Sequence, residues 1–273
     1  MNTLTEQHQR WFTGKISKWS QFWNRLGFPE IPDLRGKKLL DLGSGLGGNS
    51  YAAAKSGASV TALEMDAEAH ERSQQLISYA DREIFDSINF INSSVEEFQE
   101  PSQFDYIICD EVFEHLLDFK QAVNRMAELL KDNGLLCSGW GPLWASPAGG
   151  HQLVLSLAFR KGLPSLTASP KSHSGPTVRL PYSHRLLTRK ALDIYSRERE
   201  IQHLSSIEDM GMNGFGVTQF WESLNNSNLR IERWIENAGE HPVYKILNVM
   251  AKFPGMRELA TSNVYAVLKH KPK

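Results

Sequence analysis

Cysteine is scarce in this chain. Cys109 and Cys137 are the two among 273 residues, and each lies inside an apolar run. That count argues against a disulfide-stapled secreted domain, and two thiols in strand-like runs read as core in a reducing compartment. No stretch approaches the roughly 20 apolar residues that a bilayer-spanning helix requires. Neither sign of charge dominates: thirty Lys and Arg against thirty-one Asp and Glu give a net charge of −1. Such balance speaks against a protein built to grip a phosphate backbone. Internal repeats and low-complexity tracts are missing too. The opening residues MNTLTEQHQR show no apolar core of the kind a secretory leader carries. The expectation is a cytoplasmic protein with no membrane partner and no nucleic-acid partner.

What is present is ordinary globular composition, 41% hydrophobic and 22% charged, which excludes wholesale disorder. The length exceeds one compact domain of roughly 150 residues and falls short of two, so one catalytic-size domain with an insertion or cap is expected. Over residues 9–27, Trp11, Phe12, Lys15, Ile16, Trp19, Phe22, Trp23 and Leu26 recur at spacings of three and four, the mark of an amphipathic helix. This N-terminal unit, residues 1–36, is either a helix packed on the main domain or a flap whose aromatic face covers a ligand.

From residue 37 to 140, apolar strand-like runs (Lys38–Leu42, Ala58–Glu64, Ile88–Asn92, Tyr106–Cys109, Leu135–Trp140) alternate with helical patterns at Ser50–Lys55, Ala67–Ala80 and Leu116–Leu130, the last stopped by Asn133-Gly134. Such alternation implies βαβ units and a doubly wound α/β fold with a mostly parallel sheet. It breaks at Gly141-Pro142. Residues 141–225, irregular at first and helical from about Leu186, read as a largely helical cap insertion that shapes an acceptor pocket. Strand character returns at Leu229–Ile235 and Val264–Leu268, so residues 226–273 complete the core.

The informative segment is Leu39-Leu40-Asp41-Leu42-Gly43-Ser44-Gly45-Leu46-Gly47-Gly48. Glycines directly after a buried strand let backbone approach a ligand at the head of the next helix. Gly43, Gly45 and Gly48 satisfy G-x-G-x-x-G, and Glu64 follows 21 residues after Gly43, placed to accept hydrogen bonds from a ribose diol. These features point to adenosine but do not separate NAD from S-adenosylmethionine. Asp41 and the acids at the other strand tips (Glu64, Asp66, Asp110, Glu111) decide between them. They would repel a pyrophosphate and suit a ligand carrying an ammonium and a sulfonium.

On these residues the chain resembles the class I S-adenosylmethionine-dependent methyltransferases, well over 37–140 and more loosely over 229–270. The resemblance implies a Rossmann-like seven-stranded sheet with an antiparallel last strand and S-adenosylmethionine as cofactor. It implies donor-binding roles for Asp41, Gly43, Ser44, Gly45 and Gly47 in the loop, and for Glu64 with neighbouring Met65 at the ribose. Ser94 and Val95 fall beside the adenine, with Ser94 where the family usually has Asp, and Asp110 near the methionine portion.

Past strand four the chain reads Asp110-Glu111-Val112-Phe113-Glu114-His115. If Glu111 opens a helix, Glu114 and His115 share its face. With His184 or His151 from the insertion they could hold Mg, Mn or Zn. This pattern resembles the metal site of small-RNA terminal 2′-O-methyltransferases, and a similar string occurs in ubiquinone-pathway O-methyltransferases. Alternatively the acids frame the methionine end without a metal. The candidate catalytic residues are His151, His115, His184 and Glu111, with His173 a weaker candidate. The expected function is methyl transfer to a hydroxyl of a small-molecule acceptor. The alternatives are a metal-assisted RNA ribose 2′-O-methyltransferase, an N- or C-methyltransferase, an NAD-dependent oxidoreductase, and a non-catalytic S-adenosylmethionine-binding protein.

Overall fold

The computed structural model describes residues 4–99, 103–150, 153–160, 163–168 and 177–272. Strands β1 (Lys38–Leu42), β2 (Ser59–Glu64), β3 (Ile88–Asn92), β4 (Phe104–Asp110) and β5 (Leu130–Trp140) pair in parallel. In β1 every residue after Lys38 is buried. That run is unbroken because helices cover both faces of a parallel sheet. The insertion contributes β6 (Ser156–Arg160), β7 (Leu163–Thr167) and β8 (Thr177–Arg179), an antiparallel sheet in the order β7-β6-β8. Strands β9 (Leu229–Glu236) and β10 (Val264–His270) complete the main sheet, whose order is β3-β2-β1-β4-β5-β10-β9 with β10 antiparallel to both neighbours. The order reverses between β1 and β4. In open α/β sheets, ligands bind in the crevice beyond the carboxyl ends of the strands at that reversal.

One layer packs helices Phe119–Leu129 and Val217–Asn225 on the sheet, with Phe113, Trp140 and Phe220 at its centre. The other holds Gly48–Lys55, Ala67–Ala80 and the N-terminal aromatics Phe12, Trp19, Phe22 and Trp23. The single helix expected over 9–27 is two, Glu6–Ser17 and Trp19–Arg25, broken at Lys18. The helix expected to stop at Asn133-Gly134 ends at Leu129, and Gly134 lies inside β5, where a Cβ would meet the Phe104 carbonyl at 2.8 Å. Within the insertion, a small sheet stands where irregular backbone was expected. It closes over a core of its own, Leu153, Leu155, Ala191 and Leu192, flanked by Trp144.

Candidate active site

The glycine loop leaves β1 in left-handed backbone at Gly43 and Gly47, with φ of 68° and 79°. A Cβ on Gly43 would lie 2.5 Å from Val112 Cγ2, and one on Gly47 2.7 Å from Ile77 Cδ1. Neither position accepts a side chain. Gly43 and Ser44 donate their N–H groups to the Leu63 carbonyl at 2.9 and 3.0 Å, and Gly45 N–H donates to Glu64 Oε2 at 2.7 Å. Glu64 Oε1 accepts from Asp66 N–H at 2.9 Å. The carboxylate is thereby held between the loop and the tip of β2. Each oxygen keeps a lone pair for a further donor.

Three more acids gather at the same end. Asp41 is fully buried and accepts from Ser50 Oγ at 2.5 Å. Burial pushes its carboxyl up to about 7, against the Ser50 bond, and the charges of Asp110 and Glu64 add to the rise. Asp110, at the tip of β4, accepts from Lys15 Nζ at 2.6 Å and Asn49 Nδ2 at 3.2 Å. Glu111 turns into left-handed backbone, φ 63°, and its carboxylate takes the same ammonium at 2.9 Å. Burial works against the charge on Lys15, but Asp110 and Glu111 outweigh it and hold the pKa above the ordinary lysine value. Ser44 Oγ is buried and has no partner among the described residues. A carboxylate-rich pocket of this kind suits a cationic ligand and opposes a pyrophosphate.

A cleft of about 410 Å³ opens beside this cluster, between the N-terminal helices and the tip of β4, with Lys15, Asn49, Asp110 and Glu111 in its wall. A second space of about 320 Å³, lined by Trp140, Pro142, Tyr244 and Asn263, shares Arg25, Glu111 and Tyr265 with the first. Arg25 Nη1 donates to Tyr265 Oη at 3.0 Å across that shared wall.

Among the candidate catalytic residues, Glu111 lines the cleft. The metal grouping expected of Glu111, Glu114, His115 and His184 is not assembled among the described residues. Left-handed Glu111 ends the strand, and the chain continues into a single 3₁₀ turn, Phe113–His115, so no α-helical face aligns the three. Glu114 points inward, Oε1 accepting from Gly141 N–H at 3.2 Å. His115 Nδ1 faces the Gly211 carbonyl at 2.8 Å, in a separate pocket with Tyr195 and Met212. His184 is buried in the insertion, Nε2 against the Trp144 carbonyl at 2.8 Å and its ring edge-on to that indole. Burial lowers its pKa, so the imidazole is neutral there. No cluster of three metal-binding side chains forms among the described residues. The expectations for His151 and His173 lie outside the described residues.

Beyond β3, Ser94 Oγ accepts from Glu97 N–H at 3.3 Å, Val95 is buried in the core, and Met65 leaves its side chain exposed. Asn92 Nδ2 ties this edge to the Glu64 carbonyl at 2.7 Å. Sequence reasoning misses Asn49, Arg25 and Tyr265, and it places Lys15 only in an apolar helical stripe. A lysine at such a position is a signal that its ammonium has a buried partner.

The glycine loop, the Glu64 carboxylate at the tip of β2 and the strand-tip acids Asp110 and Glu111 thus stand together at the end of the sheet where its order reverses. Residues 40–136 match the family described as "Methyltransferase domain". Over 109 residues the chain is 38% identical to the mitochondrial ubiquinone biosynthesis O-methyltransferase of Schizosaccharomyces pombe, covering 40% of this chain and 39% of that protein. Over 130 residues it is 35% identical to the ubiquinone biosynthesis O-methyltransferase of Klebsiella pneumoniae, covering 45% and 52%. The chain thus spans about half, or less, of the length of these relatives. An S-adenosylmethionine dependent methyltransferase from Mesorhizobium loti shares the fold at a TM-score of 0.54 and 13% identity, over 95% of this chain and all of that one. Over residues 40–136 the chain is similar to S-adenosylmethionine-dependent methyltransferases, its seven-stranded sheet has their class I fold, and S-adenosylmethionine is the cofactor that this similarity supports.

Proposed function

We propose that this protein transfers a methyl group to a hydroxyl of a small-molecule acceptor. One observation carries the reading. The cleft between the N-terminal helices and the tip of β4 has the carboxylates of Asp110 and Glu111 in its wall and a volume of about 410 Å³, a size suited to small ligands. Similarity to two proteins named as ubiquinone biosynthesis O-methyltransferases supports oxygen as the acceptor atom.

The cofactor supplies an electrophilic methyl on a sulfonium. The loop from Gly43 to Gly47, with Asp41 and Ser44, would hold its amino-acid end. Glu64, next to Met65, would accept from the ribose diol, and Ser94 and Val95 would border the adenine. Asp110 and Asn49 would receive the ammonium. Arg25, Tyr265 and Trp140 wall the acceptor, and the 141–225 insertion contributes Gly141, Pro142 and Ala148 to that wall. Glu111 is the proton acceptor for the hydroxyl. Alignment of acceptor with methyl group accounts for several kcal/mol of the barrier.

S-adenosylhomocysteine is expected to raise the melting temperature, and Glu64→Ala to weaken its binding by about 1–3 kcal/mol, the loss of hydrogen bonds to a charged group. Stabilisation by NADH instead would overturn the donor assignment. Labelled methyl transfer into a metabolite extract, against total RNA, tests the acceptor class. Label appearing in RNA alone would reverse it.

A further inference from the structure

The net charge of −1 conceals a separation of charge along the chain. Between Asp132 and Asp193 there is no Asp or Glu, and seven Lys and Arg fall in that stretch. From Asp66 to Glu97 the balance reverses. Eight Asp and Glu stand there against Arg72 and Arg82, and the nearest charged residues beyond, Glu64 and Glu100, are acidic too. The fold keeps the two stretches apart. The acidic one forms β3 and helices Ala67–Ala80 and Arg82–Asp86, in the half of the sheet that ends in β3. The basic one leaves the other half through β5 and builds the insertion.

Each stretch leaves charge without an opposite partner. Arg185, Arg189 and Lys190 are exposed, and no acidic side chain among the described residues pairs with them. The nearby acids are engaged elsewhere: Asp193 faces His203 at 3.5 Å, Glu198 accepts from Thr167 Oγ1 at 3.1 Å, and Glu258 from Thr218 Oγ1 at 2.8 Å. Among these cations Leu186 is 79% exposed and Leu187 40%. On the acidic side, Arg72 and Arg82 pair with Glu68 and Asp86 of their own helices. Glu71 and Glu83 remain exposed, with no cationic partner among the described residues. Glu71, Gln75 and Tyr79 recur every fourth residue on one helical face, and Tyr79 is 91% exposed. An exposed apolar side chain is ordinary by itself. Set inside an unpaired charge cluster on both surfaces, it gives the apolar centre and charged rim of an interface.

We propose that the chain self-associates through these two surfaces, the basic face of the insertion in one copy seated on the acidic helices of the next. Charge is alike within each surface and opposite between them, so each face repels its own kind and attracts the other. Leu186 and Leu187 then meet Tyr79 at the centre, where burial removes all three from water. A contact between two different surfaces is heterologous, and it either closes into a ring or continues into a chain of copies. A nucleic acid is a poorer occupant. Its phosphates would satisfy the arginines but leave the acidic helices without a partner.

Sedimentation velocity of the full chain tests this without any acceptor. Association that grows with protein concentration is expected at about 0.01 M salt. It should be lost at about 1 M, where the screening length falls from roughly 30 Å to 3 Å. The combined variant Arg185→Glu, Arg189→Glu, Lys190→Glu should weaken association by about tenfold or more, as should Glu71→Lys with Glu83→Lys, because each sets like charges opposite one another. Mixed in equal amounts, the two variants should form a complex again, since each reversed face now matches the other. Recovery on mixing cannot come from an unfolded chain. Should either reversal unfold, Arg189→Gln and Glu71→Gln carry the test, each weakening association in the same direction. A parent chain that stays monomeric at low salt overturns the proposal, as do folded variants that remain apart when mixed or neutral variants that associate like the parent. Oligouridylate held by the parent and released by the triple variant, with no self-association, would assign the basic face to a nucleic acid instead.

Discussion

Glu111→Gln is expected to lower kcat by about 10²–10⁴, the usual range for removing a general base, while S-adenosylhomocysteine still raises the melting temperature as in the parent. The substitution keeps shape and removes charge at the carboxylate that lines the cleft and pairs with Lys15 Nζ at 2.9 Å. His151→Ala is the control, because His151 is the sequence-level candidate for the same role. If His151→Ala loses turnover and Glu111→Gln does not, the base is the histidine. The same assay settles the metal. Glu111, Glu114, His115 and His184 point to four different partners, so turnover is expected to survive a chelator. Chelator-sensitive turnover restored by Mg, Mn or Zn would mean that these side chains regroup, and would sink the assignment of Glu111 as base.

The second large effect is on stability against pH. Glu114 is buried beneath Gly141, and Oε2 has no partner among the described residues. Burial drives its carboxyl from an ordinary 4.5 to about 8, against hydrogen bonds that favour the charged form. Between those values the folded chain keeps a proton that the unfolded chain has released. Raising the pH therefore favours unfolding, by at most roughly 1.4 kcal/mol per pH unit for one such group. Asp41, raised to about 7, acts in the same direction over the lower part of the window. The ligand-free protein should lose stability steadily from pH 5 to pH 8. Glu114→Gln, which stays neutral throughout, should flatten that slope and leave the variant the more stable of the two at pH 8. Parallel melting curves for parent and variant across this range would show that Glu114 ionises normally.

The parts of the site that were legible in the sequence are those made by consecutive residues. Asp41, Gly43, Gly45 and Gly47 read as a buried strand running into a tight glycine loop, as the structure has them, because strand burial and positive φ are local demands that dictate residue type. Glu64 was legible for a related reason. A parallel βαβ unit sets the next strand's tip beside the loop, and Glu64 ends β2 with its carboxylate on Gly45 N–H. The alternation of strands and helices likewise carried the sheet, since both periods are written in the apolar pattern.

What only the tertiary structure decided is which distant side chains meet. Lys15 reaches Asp110 across 95 residues of chain. The contact exists because helix Glu6–Ser17 lies directly on helix Gly48–Lys55, where a Cβ on Gly48 would strike the Phe12 carbonyl at 2.8 Å. Nothing local to Lys15 encodes that approach. The spacing of Glu111, Glu114 and His115 suggested one helical face, but spacing specifies a face only once the backbone is helical. Here it is not, because Glu111 closes on the Gly139 carbonyl with positive φ. His184 looked the same in sequence as a histidine poised over a substrate. Packing of the insertion on its own core placed it against Trp144, where burial keeps the imidazole neutral and away from the cleft.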